Sequence, residues 1–231
     1  EELWRELETL GDEQSHFLLE RFVAGDVFHV DSIVVDGECV LEEAHRYETP
    51  PFDVMHGGGI FCTRTVRRGS ELEAELRAIN REIVAAVGLT RGVLHTEFIR
   101  GREDGRFRFL ETAARVGGAN IVEMVEASTG VNLWREWAKL EVSDVERRPY
   151  SAPERRSDYG GVVISLARQE RPDTSAYNDP EIVWRLDKKH HVGLIVASPD
   201  PERVERLLHE YMNRILADFH ASLPAPDKPT A

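Results

Sequence analysis

The segment GVLHTEFIRGREDGRFRFLETAAR, residues 92–115, constrains the fold more than any other part of the chain. Two runs of alternating, strand-forming residues flank Arg102-Glu103-Asp104-Gly105, a pattern that predicts an antiparallel hairpin. If the loop is Glu103-Asp104-Gly105, Glu97 stands five residues before Arg102 and Glu111 five residues after Arg106. The two carboxylates then oppose each other on one face, with roughly 5 Å between their Cβ atoms. A two-residue Asp104-Gly105 loop shifts the register by one and sends them to opposite faces. Bare like charges opposed on paired strands are unfavourable, so the pair needs a reason. A hard cation such as Mg²⁺ supplies one, because it takes carboxylate oxygen and keeps positions for phosphate. A solvent-facing polar side of the sheet is the other reading. Arg115 follows Glu111 where the strand gives way to a loop, and Gly117-Gly118 lets backbone approach a ligand. Carboxylates, a guanidinium and a glycine-rich turn are the parts that phosphoryl transfer uses, although a plain turn explains the glycines equally well.

Around this hairpin the pattern predicts a helix over 1–10 and strands over 17–23, 27–35 and 39–48, the last two joined by the tight turn at 36–38. Residues 49–61 read as a Pro- and Gly-rich loop. Ser70 and Glu73 form a capping box for a helix over 70–87 that Gly88 terminates. Helices follow over 120–128 and 132–141, the second capped by Asn132, with Trp134 and Trp137 expected in the core. Strands over 160–167, 182–186 and 191–197 precede a helix over 201–220. Arg64, Arg67 and Arg68 read as a solvated charge run rather than an anion site. The fold class is α+β.

Composition narrows the function. With 29 Lys and Arg against 42 Asp and Glu, the net charge of −13 argues against nucleic acid and anionic membranes as partners. Two cysteines, Cys39 and Cys62, make neither a disulfide framework nor a cysteine-rich zinc site. No apolar run approaches the roughly 20 residues of a membrane helix, and the acidic N-terminus is unlike a signal peptide. A reduced, cytoplasmic chain is expected.

Taken in order, LERFVAGDVFHVDSIVVDGE (19–38), HTEFIRGREDGRFRFLETAARVGG (95–118) and TGVNL (129–133) resemble the ATP-grasp superfamily. These ligases join a carboxylate to an amine, thiol or similar nucleophile through an acyl phosphate. The resemblance implies Mg²⁺, or Mn²⁺ in its place, on Glu97 and Glu111, and a phosphate or acyl-phosphate contact at Arg115. It implies an adenine-binding hinge at Glu20, Phe22 and Val23, ribose contacts at Asp26, and nucleotide-pocket positions at His29 and Ile99. Gly117 and Gly118 belong to the same nucleotide-binding set. ATP and a small-molecule carboxylate are the implied ligands, and a homodimer is one expected assembly.

The pattern departs from the family at Ala113, where a metal-binding Asn is usual, which puts a second metal in doubt. The family's N-terminal domain, ATP-gripping lysines and glycine-rich lid would precede residue 1. The chain therefore reads as the C-terminal half of a ligase, inactive in isolation. Residues 1–140 would be the C-terminal part of an ATP-grasp domain, with its largely antiparallel sheet and flanking helices. A linker at 141–158, a small α/β subdomain at 159–220 and a flexible tail at 221–231 would complete it. The rival reading is a non-catalytic nucleotide-binding or interaction module.

Overall fold

Asp36 and Gly37 both adopt positive φ, 50° and 82°, the pair of left-handed residues that closes a two-residue hairpin without splaying its strands. In the computed structural model, which describes residues 2–9 and 18–222, this turn joins β1 (Gly25–Val35) to β2 (Glu38–Tyr47). Strands β3 (Phe61–Thr65), β4 (Arg91–Gly101), β5 (Phe107–Ala113), β6 (Tyr159–Leu166), β7 (Ile182–Arg185) and β8 (His191–Ser198) complete one eight-stranded sheet. Its order is β5-β4-β1-β2-β3-β6-β8-β7, and every pairing is antiparallel. Because β3 pairs with β6, residues on both sides of the 141–158 segment share this sheet.

Helices α1 (Glu2–Thr9), α2 (Pro51–Gly57), α3 (Glu71–Val87), α4 (Ile121–Thr129), α5 (Leu133–Val145) and α6 (Pro201–Asp218) accompany it. Strand alternation sorts the cores. Phe28, Val30, Ala44 and Phe98 pack with Leu76 of α3, and Cys62, Val163 and Val196 pack with Leu207, Leu208 and Tyr211 of α6. The opposite face, at Ile33, Leu41, Val93, Val162 and Ile195, meets Met124 and Val125 of α4 and Leu133 and Leu140 of α5. The caps explain where helices begin and end. Ser70 Oγ accepts from the Glu73 N–H at 3.1 Å, and Glu73 reaches back to the Gly69 N–H at 2.6 Å. Gly88 then ends α3 at φ 69°.

Several sequence expectations change. Residues 18–24 are irregular rather than a strand, because β2 and β4 already occupy both edges of β1 and leave no ladder to join; residue 17 lies outside the described residues, as does Leu10 of the first helix and the tail beyond 222. The expected loop at 49–61 contains α2, which Pro51 starts with its fixed φ and Gly58 ends at φ 64°. β3 was not expected: five residues carry too little alternation to stand out. The charge run is not simply solvated. Arg68 is 16% exposed and pairs with buried Glu43 at 2.8 Å, while Arg64, 15% exposed, bonds Glu48 and reaches Glu205 of α6 at 3.0 Å. Trp134 is 55% exposed and stacks on Trp137 instead of entering the core.

Gly160 and Gly161 lie back to back on β6. A Cβ on Gly160 would stand 3.0 Å from the Met124 carbonyl oxygen of α4, and one on Gly161 would meet Leu208 of α6. Gly160→Ala is therefore expected to push α4 off the sheet and destabilise the protein by about 1–3 kcal/mol. Urea denaturation checks this, and an unchanged midpoint would show that α4 has slack.

Candidate functional site

Register assembles the site. Directly paired residues share a face of an antiparallel sheet. Glu111, Glu97, His29, His45 and Thr65 are successive partners across β5, β4, β1, β2 and β3. The neighbouring row is Ala113, His95, Asp31 and Glu43. Both rows lie on the face that α4 and α5 cover further along, where Ile33, Leu41 and Val93 are apolar. One step along each strand, ionisable side chains replace them.

Most of these buried groups partner one another, while His45, 3.4 Å from Asp31 Oδ2, stacks on the His29 ring and makes no side-chain hydrogen bond among the described residues. Asp31 Oδ1 accepts from His95 Nδ1 at 2.9 Å and Asp31 Oδ2 from His29 Nδ1 at 2.8 Å. His29 Nε2 meets Thr63 Oγ1 at 2.8 Å. The Tyr47 hydroxyl donates to Glu97 Oε1 at 2.6 Å, and His95 Nε2 faces the same oxygen at 3.4 Å. Burial would raise the Asp31 carboxyl, but the imidazoles of His95 and His29 hold it well below its ordinary value. For His29, burial outweighs the Asp31 carboxylate and lowers the ring to about 4. With the ring neutral, its partners assign the proton to Nδ1. For His95, burial is overcome by Asp31 and then Glu97, and the ring is raised to about 10. Burial and the adjacent Glu97 carboxylate push the Tyr47 phenol well up, so it remains a donor. Glu97 is itself held below its ordinary value, since His95 and Tyr47 outweigh its burial.

Glu97 and Glu111 are partnered as expected, but not through the expected loop. The hairpin has four loop residues, 102–105, closed by Gly101 N–H to Arg106 O at 3.0 Å. That register alone would pair Glu97 with Leu110. A bulge at Leu110 shifts the ladder between Phe98–Phe109 and Glu97–Glu111, which returns Glu111 to the face of Glu97. Gly105 does adopt the left-handed conformation, at φ 66°.

The donor set fits a small hard cation. Glu97 Oε1 already carries two contacts, while no other hydrogen bond or ion pair engages Oε2, or Glu111, among the described residues. Ala113, paired with His95, adds no oxygen. The buried trio His29, Asp31 and His95 has the residue types of a metal site, but their mutual hydrogen bonds occupy Asp31 and both Nδ1 atoms.

The remaining candidates fall in different places. Arg115 is exposed, with its guanidinium bonded to Val116 O at 2.8 Å. Gly117 lies against the Asp31–His95 pair: a Cβ there would be 2.9 Å from Asp31 Oδ1 and 3.0 Å from His95 Nδ1. Gly118 is exposed with open space around it. Ile99, two residues beyond Glu97, shares its face. Glu20, Phe22 and Val23 lie in the irregular segment before β1, and Ala24 O accepts from the Arg102 N–H of the hairpin loop at 3.0 Å. Asp26 belongs to the opposite face, where it pairs with Arg46 at 3.1 Å. His29 is fully buried with both ring nitrogens engaged, so it supports the site from beneath. Sequence reasoning missed Asp31, Tyr47 and His95. The available signal was a repeated strand-period pattern, His29-Val-Asp31, His45-Arg-Tyr47 and His95-Thr-Glu97, on β1 and its two flanking strands.

No protein-family model matches the chain. An L-arginine-specific L-amino acid ligase from Bacillus subtilis is 25% identical over 136 residues, covering 59% of this chain and 32% of that protein. Among solved structures, an L-amino acid ligase from Bacillus licheniformis aligns with a TM-score of 0.67 at 15% identity, over 97% of this chain and 60% of that one. The carboxyaminoimidazole ribonucleotide synthase of Aspergillus clavatus, complexed with ATP, aligns at 0.61 and 12% identity over 86% of this chain and 52% of that one. Phosphoribosylglycinamide synthetase from Anaerococcus prevotii aligns at 0.60 and 13% identity over 88% and 55%. The chain thus spans about a third of the curated relative's length, 32%. No helix among the described residues is long and apolar enough to cross a membrane.

The two histidines are expected to titrate in opposite directions. His95, raised to about 10, contributes stability that is complete below its unfolded value near 6.5 and is lost as pH rises through about 10. His29, lowered to about 4, contributes stability present above about 6.5 and lost as pH falls through about 4. Nitrogen-15 spectra of labelled histidine should show His95 doubly protonated at pH 8 and His29 neutral at pH 5.5. Asp31→Asn should bring His95 down. A His95 that titrates near its ordinary value in the unaltered protein would contradict this charge arrangement.

Proposed function

We propose, from the ATP-grasp fold that this chain has and the superfamily to which it belongs, that it forms the metal- and phosphate-binding side of an ATP-dependent carboxylate–amine ligase. The observation that carries the reading is the direct pairing of Glu97 with Glu111 above a hydrogen-bonded bed, followed at once by Arg115 and Gly117-Gly118. Glu97 and Glu111 would hold Mg²⁺, or Mn²⁺, which when bound offsets the negative charge of the terminal phosphates. Arg115, on the loop after β5, would meet the transferred phosphoryl group, where a planar guanidinium can bind two oxygens at once. Gly117 lets that loop lie close to the sheet, and Gly118 leaves backbone open beside it. Ile99 would pack on the nucleotide, and the segment Glu20, Phe22 and Val23 would hold adenine. The substrate carboxylate would attack the γ-phosphorus and displace ADP, and an amine or similar nucleophile would then attack the acyl carbon and release inorganic phosphate.

Residues 1–140 supply these contacts in this reading, and 159–220 form a smaller subdomain that braces them. A cytoplasmic setting suits a nucleotide-dependent ligase. The similarity to an L-amino acid ligase supports an amino-acid-like carboxylate as substrate. Ala113 favours a second reading, a nucleotide-binding module without turnover, since it removes one metal-ligand oxygen.

ADP release in the presence of candidate carboxylates and amines separates the two. In the ligase, Glu111→Gln is expected to lower turnover at least about a hundredfold, the usual scale for a lost electrostatic contact to the transition state. Arg115→Lys should also be costly, because a point charge does not reproduce a planar fork. Near-normal turnover by Glu111→Gln at saturating Mg²⁺ would sink the assignment.

A further inference from the structure

We propose that Tyr47 and His95 are positioning residues that make Glu97 a one-oxygen ligand, and that they thereby set the preference of the site for a small cation over Ca²⁺. This rests on the reading of Glu97 and Glu111 as the metal-binding pair. Glu97 is 9% exposed and sits one row from a buried carboxylate. The Tyr47 hydroxyl donates to Oε1 at 2.6 Å, and His95 Nε2 approaches the same atom at 3.4 Å. An ionised carboxylate oxygen has two lone-pair directions; the Tyr47 hydroxyl takes one by a hydrogen bond, and the His95 ring faces the same oxygen as an ion pair. Oε2 is left for a cation.

The holders are themselves held. His95 is 5% exposed and its Nδ1 is bonded to Asp31 Oδ1 at 2.9 Å, which anchors the ring. Tyr47 is buried, tilted against the His29 ring at 4.7 Å and edge-on to Phe61 at 5.7 Å. Glu97 therefore has no freedom to turn and chelate through both oxygens without breaking the short Tyr47 bond.

That restriction selects among ions. Ca²⁺ takes six to eight oxygens and commonly uses carboxylates in bidentate fashion, whereas Mg²⁺ and similar small ions take six in octahedral geometry and use one oxygen from each of one or two carboxylates. Groups behind a ligand typically change metal affinity by about 10–100-fold when removed. Tyr47→Phe removes the donor and keeps the ring, so it frees Oε1 while the packing stays.

The test is Mn²⁺ binding followed by the paramagnetic resonance of free Mn²⁺, titrated alone and against Ca²⁺. Tyr47→Phe is expected to weaken Mn²⁺ binding about tenfold or more and to let Ca²⁺ compete at lower concentration relative to Mn²⁺. His95→Gln, the alternative if Tyr47→Phe does not fold, should narrow the Mn²⁺ over Ca²⁺ preference in the same direction. A general loss of stability would weaken both ions together and leave their ratio unchanged, and an unchanged ratio in the folded variants overturns the proposal. Glu111→Gln separates the two levels. If it abolishes Mn²⁺ binding while the Tyr47 and His95 variants keep the ratio, the metal reading stands and the positioning role falls. If Glu111→Gln binds Mn²⁺ as the unaltered protein does, both fall.

Discussion

A carboxylate taken out of water needs partners for both oxygens, and Asp31 is where this requirement organises the molecule. Its Oδ1 holds His95 and its Oδ2 holds His29, each across a strand or one step along it. An unpaired ionised group at this depth would cost several kcal/mol. The partners divide the charge unequally. His95 stands between two carboxylates and is held protonated, while His29, enclosed with a single one, is held neutral. Sign therefore alternates from Asp31 through His95 to Glu97, toward the open edge of the sheet.

The same hydrogen bond sets the loop that follows β5. Gly117 rests on Asp31 and His95 so closely that a methyl group would collide with both. Arg115 and Gly118 are thus placed by the pair that also orients Glu97. Two parts of the candidate site, separate in sequence, share one anchor. This is why a polar bed can be kept where apolar packing would be simpler: Asp31, His29 and His95, each hydrogen-bonded, define one arrangement.

A second group of contacts holds the halves of the sheet together. β3 makes only short ladders with β2 and β6. Arg68 and Arg155 reinforce them by reaching buried Glu43 from the far side, at 2.8 and 3.0 Å. Arg64 ties Glu48 to Glu205 of α6. Removing one member of a buried pair usually costs about 3–5 kcal/mol, because the other charge stays behind. Arg64 and Arg68, neighbours in sequence, and the distant Arg155 work as cross-braces.

Local rules were legible. The capping box at Ser70, the Asp36-Gly37 turn, the helical stripe of α6 and the alternation of β1, β2 and β4 depend on neighbours within a few residues, and they hold in the structure. The family resemblance rested on the same short motifs. What sequence could not settle was anything that needs two distant segments to meet. The pairing of Glu97 with Glu111 follows from a four-residue loop corrected by a bulge at Leu110, and packing along the ladder decides whether such an extra residue is accommodated. The 18–24 segment has the composition of a strand but finds both edges of β1 taken. Three His-x-Asp, His-x-Tyr and His-x-Glu patterns were plain in the sequence. Only the strand order, which brings β4, β1 and β2 side by side, turned them into one network, because the His95–Asp31 and Tyr47–Glu97 hydrogen bonds, both under 3 Å, demand a register that no single strand contains.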